Sequence, residues 1–79
     1  MKTIDNPDYE IRLLTLDYTK ETSKDEVLKH AKDDLAVYKQ LGWELDPDDI
    51  ESIRFDAMVS GQVVPSDLTF MVTFRRRKH

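Results

Sequence analysis

Ser52-Ile53-Arg54-Phe55-Asp56-Ala57-Met58-Val59 is the stretch on which the fold turns. Its apolar residues Ile53, Phe55, Ala57 and Val59 alternate with Ser52, Arg54, Asp56 and Met58, the period of a strand with one face buried. Downstream, Leu68, Phe70, Val72 and Phe74 alternate in the same way with Thr69, Met71, Thr73 and Arg75. Read as two strands, these segments are joined by Ser60-Gly61-Gln62-Val63-Val64-Pro65-Ser66, short enough for a hairpin loop, and are expected to pair antiparallel.

Immediately upstream, Asp46-Pro47-Asp48-Asp49-Ile50-Glu51 reads as a Pro-Asp turn leading into the strand. As a calcium loop it fails the EF-hand pattern. Ile50 occupies the fifth position, Glu51 replaces the glycine of the sixth, and Ala57 stands where the twelfth-position glutamate belongs. No metal site is expected.

Ser23-Lys24-Asp25-Glu26 has the form of a capping box, in which hydroxyl and carboxylate satisfy unpaired N–H groups at a helix start. The helix is expected from about Lys24 to Leu41. At about 100° per residue, Val27, Leu28, Ala31, Leu35, Tyr38 and Leu41 share a stripe, with Asp25, Lys29, Asp33 and Gln40 opposite. Gly42 suits the left-handed residue of a Schellman ending, which sets Trp43 against Tyr38.

The segment Tyr9 to Tyr18 reads as a first strand whose apolar phase changes. Tyr9, Ile11 and Leu13 share one face, and Leu14, Leu16 and Tyr18 the other. Either a bulge lies near Leu13-Leu14 or both faces are half covered. The expected class is α+β, one helix packed on a three-stranded, mainly antiparallel sheet in the order β-α-β-β. A central third strand makes every pair antiparallel; a parallel pairing of the first two through a right-handed crossover is the alternative. One domain spans residues 1–79, with 1–8 a loose lead-in and 78–79 a tail.

The chain has 79 residues, a mass of 9.3 kDa and no cysteine. A domain of this size buries only about 60–65% of its unfolded surface. Without disulfides or a Cys/His cluster, further stability must come from regular secondary structure or self-association, so a homo-oligomer is expected. No secretory leader pattern and no run of about 18 apolar residues occurs, which excludes secretion and membrane spanning and makes a cytoplasmic protein the expectation. Charge is unevenly placed: residues 1–51 carry 14 acids and 7 bases, residues 52–79 carry 2 acids and 5 bases, and the total is −4.

Tyr9-Glu10-Ile11-Arg12 opening a strand, a capped helix running into Leu41-Gly42-Trp43-Glu44-Leu45, and a last strand ending Phe74-Arg75-Arg76 resemble small bacterial and phage domains of unknown function marked by a Gly-Trp-Glu-Leu signature. The likeness covers about residues 9–76. It implies a strand-helix-strand-strand fold with no established activity and no catalytic residues to carry over. Two features depart from it: the acidic Asp46-Pro47-Asp48-Asp49, and Val63-Val64-Pro65 in a loop that is commonly glycine-rich in those domains.

Several features are candidates for function. A non-enzymatic interaction domain, binding a second copy or another protein, would use the sheet face opposite the helix. That face is read as Arg54, Met58, Thr69, Met71, Thr73 and Arg75 with Leu14 and Leu16, and the hairpin tip Val63-Val64 would extend it. A nucleic-acid binder would use Arg54, Arg75, Arg76, Arg77 and Lys78 to neutralise phosphates. Against it, a hairpin would set Glu51 beside Arg76 and Asp49 beside Lys78, compensating the cations internally. A ligand-sequestering protein would stack a ring on Trp43, Tyr9 or Tyr18. His30 and Asp34, four apart on the helix, form a possible acid-base pair at the edge of a seam continued by Val37 and Leu41. No nucleophile-base motif or phosphate loop is present, so no catalytic residue and no cofactor are expected.

Overall fold

The computed structural model describes residues 2–4, 7–62 and 66–78. The elements run β1 (Lys2–Ile4), β2 (Tyr9–Asp17), α1 (Lys24–Gln40), β3 (Glu44–Leu45), α2 (Ile50–Val59) and β4 (Thr69–Arg77). The class is α+β, with two helices rather than one. The sheet order is β1-β2-β4-β3 and every pair is antiparallel. The last strand is therefore central between β2 and the two-residue β3, and no parallel crossover occurs between them.

The segment expected as the second strand is helix α2. Two spacings compete in it. Ile53, Phe55, Ala57 and Val59 repeat every two residues, but the fully buried positions are Ser52, Phe55 and Met58, a helical repeat. Ile53 is exposed. Local chemistry decides the outcome. Asp49 is an N-cap whose carboxylate accepts from Ser52 N at 3.1 Å and from Ser52 Oγ at 2.7 Å. At the other end Gly61, at φ 78°, closes a Schellman motif in which Gly61 N donates to Met58 O and Gln62 N to Ala57 O. With a helix here there is no hairpin, and Val63, Val64 and Pro65 lie outside the described residues.

Helix α1 follows expectation more closely. Ser23 Oγ accepts from Glu26 N at 3.2 Å, and Val27, Ala31 and Leu35 are buried. Its end repeats the same motif: Gly42, at φ 88°, donates to Lys39 O, and Trp43 N to Tyr38 O. Both glycines of the chain thus serve one purpose, adopting the left-handed conformation that side chains resist. Leu41 is the exception in the apolar stripe; as the cap residue it is turned to solvent and 59% exposed.

Strand β2 contains no bulge. Its register with β4 runs unbroken from Tyr9 opposite Arg77 to Asp17 opposite Thr69. Leu14, Leu16 and Tyr18 join Phe70, Val72 and Phe74 beneath the two helices, which corrects the placement of Leu14 and Leu16 on the far face. The core is aromatic. Tyr18, Phe55 and Phe70 pack with ring centroids 5.3–6.4 Å apart, and Tyr38 stacks on Phe74 at 4.6 Å. Within the segment expected as a loose lead-in, Lys2–Ile4 pairs with β2, and Lys78 N donates to Asp8 O at 3.0 Å.

Candidate interaction face

One face of the sheet lies away from both helices. Register places Tyr9, Ile11, Leu13, Thr15 and Asp17 of β2 on it, opposite Arg77, Arg75, Thr73, Met71 and Thr69 of β4. Ile11 and Leu13 are half-buried and Met71 is 66% exposed. Strand β2 thus carries apolar side chains on both faces, which explains its change of phase. Of the residues expected here, Met71, Thr69 and Thr73 are in place. Met58 is not: it sits inside α2, 2% exposed, in the core. Arg54 also belongs to α2.

The face is electrically polar along the strands. At one end Arg75 and Arg77 lie over the Tyr9 ring, with guanidinium carbons 4.5 and 5.8 Å from its centroid. Arg75 Nε also donates to Glu44 Oε1 at 2.7 Å, whereas Arg77 and Lys78 are exposed. At the other end stand Asp17 and Asp67. The Asp17 carboxyl is held below its ordinary pKa because it accepts from both the hydroxyl and the N–H of Thr19. Asp67 accepts from Thr69 N at 3.0 Å.

Helix α2 closes the β4 edge that β3 leaves uncovered. Ser52 Oγ accepts from Thr73 N, and Arg54 donates to the carbonyls of Asp67 and Thr69 at 3.4 and 3.1 Å. Arg54 also forks onto Glu51, with both N···O distances 3.0 Å, which holds the Glu51 carboxyl below its ordinary pKa. The guanidinium covers the Phe70 ring at 4.4 Å. This role was missed in the sequence because a strand reading aims Arg54 at the open face.

Arg76 and Arg12 have specific partners too. Arg76 pairs with Glu10 at 3.1 Å, donates to Leu41 O at 3.2 Å, and lies 4.4 Å above the Trp43 ring, where Arg12 also sits at 4.7 Å. The expected pairs Glu51–Arg76 and Asp49–Lys78 do not form, because Glu51 and Asp49 are on α2 and its cap instead of beside the end of β4. Compensation of the basic run by acids occurs through different residues, Glu44 and Glu10. Trp43 and Tyr18 are core residues.

His30 and Asp34 do not pair. His30 Nδ1 lies 2.6 Å from Glu21 Oε1 and Nε2 lies 3.6 Å from Glu26 Oε2, and the hydrogen bond to Glu21 raises the His30 pKa. Asp34 instead accepts from the Tyr18 hydroxyl at 2.7 Å, and burial followed by that bond raises the tyrosine pKa. Glu21, Glu26 and His30 do bring three ligand-type atoms within 4.8 Å of one another. In this arrangement the 2.6 Å contact is a hydrogen bond between His30 and Glu21.

A cleft of about 290 Å³ lined by Val27, Leu28, Met58 and Leu68 opens between the two helices. No helix among the described residues is long and apolar enough to cross a membrane. Comparison with known proteins returns no matching family model, no matching curated protein and no matching solved structure.

Proposed function

We propose that this chain is a non-catalytic interaction domain that works by protein–protein contact through the open face of its sheet. The observation that carries the reading is Met71, 66% exposed on the central strand opposite Thr15, with Leu13 in the next row of the same face and Ile11 in the row after it. An unbranched thioether with apolar neighbours and a rim of threonine and arginine is the composition of a contact surface.

Edge and charge support the same reading. The β4 edge beyond β3 is occupied by α2 side chains, so a partner cannot add a strand there. Arg54, Arg75 and Arg76 each hold a carboxylate, which weakens them as phosphate ligands.

Affinity capture with matched variants tests the proposal. A protein retained by the wild-type chain and by Val37→Asp, which alters the exposed side of α1, should be lost with Met71→Asp. Equal retention by all three contradicts it.

A further inference from the structure

We infer that the occupant of this face is a second copy of the chain, packed sheet to sheet with its strands reversed; the inference rests on the face being a contact surface. The midpoint of the β2–β4 register is the Leu13–Thr73 pair. Two copies can meet face to face about a two-fold axis lying between the sheets, either along the strands or across them.

The charges distinguish these arrangements. An axis along the strands sets Arg75 and Arg77 of both copies at the same end, cation against cation. An axis across the strands over Leu13 and Thr73 sets the Tyr9/Arg77 row over the Asp17/Thr69 row of the other copy. Arg77 then stands over Thr69 of the partner subunit and within reach of Asp17 of the partner subunit. The Ile11/Arg75 row covers the Thr15/Met71 row, so Met71 gains the aliphatic stem of Arg75 of the partner subunit. One surface thus supplies both halves of a complementary contact, with the apolar residues at its centre and opposite charges at its ends.

Area sets the strength. Nine-residue strands extend about 30 Å, and the face is about 15 Å wide, giving roughly 450 Å² per copy or 900 Å² in total. That lies below the roughly 1,200–2,000 Å² of standard stable interfaces, so the dimer is reversible and concentration-dependent.

Sedimentation equilibrium of the full chain over a wide concentration range, with circular dichroism confirming that each variant folds, provides the test. Wild type should dimerise, and Met71→Asp should abolish the association. Arg77→Glu should weaken it by about tenfold or more, because it removes the charge contact at both ends of the symmetric dimer. Adding Thr69→Lys to Arg77→Glu should restore the affinity to within about threefold of wild type, because the swapped charges meet again only across the reversed two-fold. A chain that stays monomeric at millimolar concentration overturns the second copy as occupant and leaves the contact surface to the capture experiment. A dimer that Met71→Asp leaves intact overturns both. A dimer lost with Met71→Asp but not rescued by the charge swap overturns the reversed packing alone.

Discussion

Ser52 Oγ accepts a hydrogen bond from Thr73 N at 2.8 Å, so a helix side chain stands where the next strand of the sheet would be. The hydroxyl oxygen lies nearer Asp49 Oδ2, at 2.7 Å, than Thr73 O, at 3.2 Å, and that carbonyl already accepts from Asp46 N at 2.9 Å. One small side chain therefore ties the start of α2 to the middle of β4. Because Ser52 is 1% exposed, removing it strands a buried N–H. Ser52→Ala should destabilise the fold by about 1–3 kcal/mol in urea unfolding. A loss within error of zero would mean that water or a shift of α2 replaces the bond.

The two glycines should differ in cost. Alanine at either meets the left-handed penalty of about 1–2 kcal/mol, offset in part by a less flexible unfolded chain. At Gly42 the added Cβ also comes within 3.3 Å of Arg76 Cδ, whereas at Gly61 it meets nothing within 4 Å. Gly42→Ala should therefore lower the melting temperature more than Gly61→Ala; the reverse order would contradict the contact with Arg76.

Arg76 and Glu10 separate a charge effect from a packing effect. Glu10→Gln removes only a half-exposed ion pair, worth up to about 1 kcal/mol and reduced by salt. Arg76→Ala also uncovers Trp43 and frees the Leu41 carbonyl, adding about 0.5–2 kcal/mol that salt leaves untouched. Unfolding in low and high salt, read by the single tryptophan, should show a salt-sensitive loss for the first variant and a largely salt-insensitive remainder for the second.

His30 gives the fold a pH dependence of defined sign. Glu21 raises its pKa in the folded state above the unfolded value, with Glu26 assisting and Lys29 opposing. The protonated imidazolium is thus the form that stabilises. Its contribution is fully present below the unfolded pKa of about 6.5 and is lost as pH rises through the folded-state value. NMR titration should place the His30 midpoint above about 6.5 in the wild type and lower it in Glu21→Gln. A midpoint unmoved by that substitution would contradict the assignment of Glu21 as its cause.

What could be read from the sequence was local. The Ser23 cap, the Gly42-Trp43 ending and the phase of β4 each depend on a few adjacent residues, and each is found in the structure. The error at residues 50–59 arose because apolar residues there satisfy both a two-residue and a helical repeat, so periodicity could not decide. The deciding signals were present: Asp49 three residues before Ser52, and Gly61 just past Val59, in the same relation that Gly42 bears to α1. From that one misreading followed the hairpin, the Glu51–Arg76 pairing and the misplacement of Met58. The His30–Glu21 contact spans a loop, and the Arg54 bonds to β4 depend on tertiary placement; neither leaves a pattern in spacing.

Methyl NMR of the methionines tests the central claim, that the open sheet face is a contact surface, most directly. A soluble paramagnetic probe should broaden the Met71 methyl in dilute protein and spare Met58. Raising the protein concentration, or adding a protein captured in a Met71-dependent way, should shift the Met71 methyl and protect it while Met58 stays unchanged. A Met71 methyl that remains equally broadened and unshifted under all these conditions would contradict the account.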